Sequence, residues 1–175
     1  MEAAVRVIAQ HGVRGLRVEQ LAAEAGVSTA LIYYHFKDRG GVLRAALEHV
    51  NQRAQDYTDQ ALSTTEEPRA QLENLLLLEL RDETEVAMNS IAWGELRASA
   101  VFDPDLRDPL TATTRAWNDD VETLLARAGA TAPALAAEHL TALVEGLSER
   151  WHTGSITLDR ARAVLTHAIA RELGD

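Results

Sequence analysis

The side chains able to do chemistry concentrate between Arg17 and Arg39. Two hydroxyls (Ser28, Thr29), two phenols (Tyr33, Tyr34), an imidazole (His35) and three cations (Arg17, Lys37, Arg39) fall within those 23 residues, with Ala30 and Leu31 among them. No nucleophile there is spaced against a base. The types suit hydrogen bonding to phosphate oxygens and base edges instead. Enzyme patterns elsewhere are thin. Glu149-Arg150-Trp151-His152 has the Glu-x-x-His spacing of di-iron bundles, which need a second such motif and further carboxylates. There is no Cys, so thiolate nucleophiles, disulfides and zinc fingers are excluded. No His-Glu-x-x-His, phosphate loop or dinucleotide fingerprint occurs, and the six His are scattered. No enzyme activity and no cofactor are expected; the rival reading is an all-α metal or cofactor enzyme with Glu149 and His152 as ligands.

The elements that must hold the cluster follow from periodicity. Apolar residues recur at three and four spacing almost throughout, which predicts an all-α chain of about nine or ten helices. The first helix runs from Met1 to His11 and stops at Gly12, the second spans Val18 to Ala25 and stops at Gly26, and the third starts at Ser28. Leu21, Ala22, Ala25, Gly26, Val27 and Ile32 supply the inward residues and the turn of a helix-turn-helix. Ser28 caps its second helix, whose outward residues are Thr29, Ala30, Leu31, Tyr33, Tyr34 and His35, a face suited to a major groove. A long fourth helix follows Lys37-Asp38 and reaches Leu62. Thr64 and Glu67 have capping-box spacing ahead of Pro68, and helices then cover Arg69 to Leu80 and Thr84 to Val101. Asp103-Pro104 and Asp108-Pro109 mark turns and helix starts, with a long helix from Thr111 to Ala128, and two more run from Pro133 to His152 and from Leu158 to Leu173.

Ala25-Gly26-Val27-Ser28, then Leu31-Ile32-Tyr33-Tyr34-His35-Phe36, then Arg39 and Val42-Leu43, resemble the signature of the tetracycline-repressor (TetR) family. That resemblance implies a helix-turn-helix DNA-binding domain over 1–46 and a helical ligand-binding and dimerisation domain over 47–175. It implies base and backbone contacts for Tyr33 and Tyr34, and phosphate contacts for Ser28, His35, Lys37 and Arg39. Thr29, Ala30 and Leu31 depart from the residues common in the family, so their methyl groups and one hydroxyl read the operator differently, with thymine methyls as natural targets. Arg17 stands where a Ser or Thr cap is usual, which loses about 1 kcal/mol of capping and adds a cation near the backbone. The implied function is a homodimeric repressor of a palindromic operator, released by a small-molecule effector; a constitutive DNA-binding protein without effector is the alternative.

In the remaining chain, Met88, Asn89, Trp93, Phe102, Trp117 and Asn118 are the candidate effector contacts, with Glu95 as a further polar group. Leu140, Leu143, Val144, Leu147 and Trp151 form a seam that buries against the last helix or against a second copy. Ala142 to Leu147 resembles a dimerisation segment of one branch of the family, which favours the copy. The net charge of -10 argues against nucleic acid until it is divided: residues 1–55 carry +2 and residues 56–175 carry -12. The longest leucine run, Leu75 to Leu78, is far too short to span a membrane, and a cytoplasmic location is expected.

Overall fold

The computed structural model describes residues 1–63 and 65–174, Ala61 by its backbone. Its regular elements are all helical: α1 (Glu2–Gly15), α2 (Val18–Ala25), α3 (Thr29–Phe36), α4 (Arg39–Ser63), α5 (Pro68–Leu78), α6 (Thr84–Ala100), α7 (Pro104–Arg127), α8 (Pro133–His152) and α9 (Leu158–Leu173). The all-α expectation holds, with nine helices among the described residues.

Three boundaries differ from the sequence reading, each for a local reason. Gly12 does interrupt α1, at φ 71 and ψ 167, but the chain resumes one more helical turn through Gly15 instead of stopping. At α5, Glu67 is itself the cap: its carboxylate accepts from the amides of Arg69 (3.0 Å) and Ala70 (2.6 Å), and Pro68 takes the first helical position. Thr64, the expected cap, lies outside the described residues. α7 begins at Pro104, where Asp103 accepts from the amide of Asp105 at 3.1 Å, and Pro109 sits inside the helix. Pro109 forfeits only the bond its nitrogen would donate, near enough to the start of a 24-residue helix for the rest to hold.

The chain divides into two compact units. The first comprises Met1–Ala54 and Met88–Ala112, around Ile8, Leu21, Ile32, Leu43, Leu47, Leu96 and Leu106. The second comprises Gln55–Ala87 and the chain from Thr113 onward, around Leu72, Leu76, Leu125, Leu140, Leu165 and Ile169. These units interleave along the sequence, whereas the functional division expected at residue 46 is sequential. In the second unit the end of α5 is satisfied by Arg162, whose Nε donates to the carbonyl of Leu80 at 2.7 Å. Gln71 ties the entry to α5 by donating to the carbonyls of Leu62 (2.9 Å) and Thr65 (2.8 Å).

Glu79, the C-cap of α5, has its carboxyl pushed up by burial. An acid whose folded pKa is raised weakens folding once pH rises above its ordinary range, because the charged form is the one burial penalises. Glu79→Gln is therefore expected to be more stable than the parent in urea denaturation at pH 7.5, with the gap closing toward pH 5. Equal stability at both pH values would contradict the burial argument.

Candidate functional site

The helix-turn-helix expected from the sequence is built in the first unit. α2 starts at Arg17, which is extended, exposed and makes no side-chain cap, as the missing Ser or Thr implies. It ends at Gly26, in the left-handed conformation at φ 67. Ser28 caps α3 through its Oγ, which accepts from the amide of Leu31 at 3.2 Å. Only Ile32 of α3 is fully inside, 7% exposed, with Val27 and Phe36 packed against the same core. This one anchor sets the rotation of the helix. Ala30, Leu31, Tyr33, Tyr34 and His35 are exposed, Tyr33 at 49% and Tyr34 at 81%, while Thr29 is half-buried. The rings of Tyr34 and His35 meet edge to face, 5.2 Å apart at 81°.

The junction after α3 is tight. A side chain at Gly41 would place its Cβ 1.9 Å from the carbonyl oxygen of Phe36, so only glycine lets α4 start this close. Asp38 caps α4, its Oδ1 accepting from the amide of Gly41 at 2.7 Å. Lys37 makes the turn at φ 64, the sole non-glycine residue with positive φ among the described residues, and is exposed. Asp38 was missed by the sequence reading, although its spacing of three residues before Gly41 is that of a cap.

Arg39, for which the resemblance implies a phosphate contact, is exposed; its Nε donates to the carbonyl of Leu16 at 3.1 Å and its Nη2 donates to the carbonyl of Val13. The guanidinium thus fastens the α1–α2 connection to the start of α4. The planar fork presents two donors to the two carbonyls at once.

The effector candidates do not gather in one unit. Met88, Asn89, Trp93 and Phe102 belong to the first, Trp117 and Asn118 to the second. Asn89 is buried and its Oδ1 has no hydrogen-bond partner, Met88 is half-buried, and Trp93 packs on the first core. Phe102 stands out in solvent, 81% exposed, because it lies on the α6–α7 turn that Arg107 clamps by donating to the carbonyls of Ala100 (3.0 Å) and Val101 (2.7 Å). Glu95 is held by the amide of Val13 at 2.9 Å. Trp117 packs on the second core, and Asn118 accepts from the hydroxyl of Thr141 at 2.7 Å, joining α7 to α8. Asp120, three residues beyond Trp117, reads from the sequence with Asp119 as a solvated helix face, and the structure half-buries it. Burial, then the carboxylates of Asp59 and Asp119, push its carboxyl up.

The expected dimer seam is largely interior. Leu140, Val144 and Leu147 are buried in the second core with Ala161, Leu165 and Ile169 of α9, and Leu143 and Trp151 pack partly against it. Spacing of three and four marked a buried stripe correctly but could not say whose surface covers it. Glu149 is exposed, and among the described residues no group of three or more His, Asp or Glu could hold a metal ion. Among the described residues no helix is long and apolar enough to cross a membrane.

Comparison with known proteins gives the same reading along the chain. Residues 1–46 match the family of bacterial regulatory proteins of the tetR family, and residues 68–174 match the C-terminal region of the BetI-type transcriptional repressors. The HTH-type transcriptional regulator BetI of Cronobacter sakazakii is 25% identical over 99% of this chain and 88% of its own length. That of Burkholderia cenocepacia is 26% identical over 89% of this chain and 80% of its own. A solved TetR-family transcriptional regulator from Rhodococcus sp. is 44% identical, with a TM-score of 0.86 over 99% of this chain and 95% of that one. A transcriptional regulator from Saccharomonospora viridis, solved in complex with choline, is 25% identical with a TM-score of 0.87, covering 96% of this chain and 92% of that one. With both family matches in register on the helix-turn-helix and on the helices that follow it, this chain belongs to the tetR family of bacterial regulatory proteins as a BetI-like, DNA-binding transcriptional regulator, not an enzyme.

Proposed function

We propose that the protein is a homodimeric repressor that lays α3 in the major groove of a palindromic operator and is released by a small organic cation. Residues 1–46 form the reading head, and residues 47–175 carry effector binding and dimerisation. The observation that carries this reading is the outward face of α3. Ile32 anchors the helix, leaving Leu31, Tyr33 and Tyr34 free to meet bases and His35 and Lys37 free to meet phosphate. With Arg39 spent on backbone carbonyls, Arg17 and Lys37 are the cations of the motif left for the DNA backbone. Tyr33→Ala is expected to cost about 1 to 3 kcal/mol on the selected operator and to relax base preference, while Lys37→Ala weakens cognate and scrambled duplexes alike and lowers the salt slope by about one. Fluorescence anisotropy against salt concentration reads both; wild-type binding by both variants would defeat the assignment.

Two copies are needed because one recognition helix covers only a half-site. With Leu140, Val144 and Leu147 inside the protomer, the dimer face falls on the outer side of α8, where Leu135 and Ala142 are exposed and the space over Gly146 is open. Small residues there let two α8 helices approach closely. Sedimentation is expected to show a dimer at micromolar concentration and a monomer for Ala142→Glu. A monomeric parent, or a variant that stays dimeric, would reject this face.

For the effector, the relative solved with choline points to a quaternary ammonium, and the second unit offers matching chemistry. Trp117 and Asp120 lie three apart on one side of α7, and the carboxylates of Asp59 and Asp119 add to burial in pushing the Asp120 carboxyl up. A small cation would be stabilised by the indole face and the carboxylates together. Titration calorimetry with choline chloride is expected to show binding that Asp120→Asn weakens and that falls as pH drops toward the raised carboxyl range, where Asp120 takes up a proton. Absence of heat, together with operator binding unaffected by choline, would instead support a constitutive DNA-binding protein.

A further inference from the structure

α1 breaks at Gly12, and the short turn that follows starts afresh at Val13, a residue only 5% exposed. Its buried N–H and carbonyl both need partners. Its N–H donates to Oε2 of Glu95 on α6 at 2.9 Å, and its carbonyl accepts from Nη2 of Arg39 and from the amide of Leu16 at 3.2 Å. Arg39 also holds the carbonyl of Leu16. The N–H of the Gly12–Val13 peptide and the carbonyl of the Val13–Arg14 peptide, one on each side of the Val13 Cα, are thus held by two side chains from other helices. The fit is close: a Cβ at Gly12 would lie 2.9 Å from Oε2 of Glu95, and φ 71 there is itself a glycine conformation.

Three segments meet at Val13. Glu95 brings α6, Arg39 brings the start of α4 that immediately follows the reading helix, and Leu16 leads into α2. Ala92 and Leu96, on either side of Glu95 on α6, are buried in the same core as Ile32, Val42 and Leu43, so the carboxylate projects from a helix that is itself held.

We propose that Glu95 is a positioning residue for operator binding: through the Val13 amide it fixes the α1–α2 connection, and with Arg39 it sets where α2 and α3 stand on the first unit. The inference rests on α3 being the DNA-reading helix. What matters is an acceptor at the right reach rather than a negative charge. Glu95→Gln keeps the reach and loses the charge; Glu95→Asp keeps the charge and falls short by a methylene. Arg39→Lys keeps a cation but replaces the planar fork by a single ammonium that fits the two carbonyls less well; loss of that hold falls on the operator more than on the scrambled duplex, whereas loss of a phosphate contact weakens both alike.

The experiment measures the full-length protein and these variants for affinity to the selected operator and to a scrambled duplex, with amide exchange at Val13 by NMR. Glu95→Gln is expected within about twofold of wild type on the operator with a slow Val13 amide. Glu95→Asp and Arg39→Lys are expected to lose about tenfold or more on the operator and far less on the scrambled duplex, with faster Val13 exchange for Glu95→Asp. Wild-type operator affinity for Glu95→Asp, or equal impairment of the Gln and Asp variants, would overturn the proposal. If the wild type binds no duplex, the DNA reading of α3 fails, while exchange at Val13 still decides whether Glu95 holds the peptide; a Val13 amide that stays slow in Glu95→Asp overturns it.

Discussion

Burial of Ile32 is the constraint on which the presentation of α3 depends. An eight-residue helix is too short to persist alone, so α3 exists because it docks. One fully interior residue on that helix fixes its rotation, and side chains about 100° apart on a helix cannot all face in. Tyr33, Tyr34, Leu31 and His35 are exposed because Ile32 is not. The core that receives Ile32 draws residues from α1, α2, α4, α6 and α7, so the reading surface is supported by residues as distant in sequence as Leu106.

The charge of the protein takes on a different meaning once its cations are placed. Of the basic residues near the motif, Arg6 pairs with Glu24 at 2.7 Å, Arg44 pairs with Asp105 at 3.0 Å and Arg39 is hydrogen-bonded to backbone. Few positive groups remain for phosphate, which makes aromatic and apolar contacts from α3 proportionally more important. The acidic excess lies after residue 55, and in the second unit the carboxylates of Asp59 and Asp119 add to burial in pushing the Asp120 carboxyl up. Like charges held together at partial burial are costly, and a bound cation is a direct way to relieve them.

Legibility from sequence followed the range of the interactions. α2 ends at Gly26 and α8 begins at Pro133, where the sequence signalled, since helix breakers and first-turn prolines act within one turn. α7 was misread because Asp108-Pro109 looks like a start when judged locally, yet Asp103 had already capped the helix five residues earlier and a single lost amide bond did not end it. The seam at Leu140, Val144 and Leu147 shows the other limit. Periodicity marks a stripe that must be covered and is silent on whether α9 of the same chain or another protomer covers it.

The sequence by itself determined the helical elements, the helix-turn-helix and the residues that can face DNA, because spacing, turn chemistry and family signature are all local properties. Only the tertiary structure decided that Arg39 bonds the carbonyls of the α1–α2 connection, that Phe102 is a surface residue, and that Glu95 reaches across 82 positions to the amide of Val13. A long polar side chain can bond anything within its reach. Which partner lies there depends on how α1, α4 and α6 pack, and no local pattern encodes that.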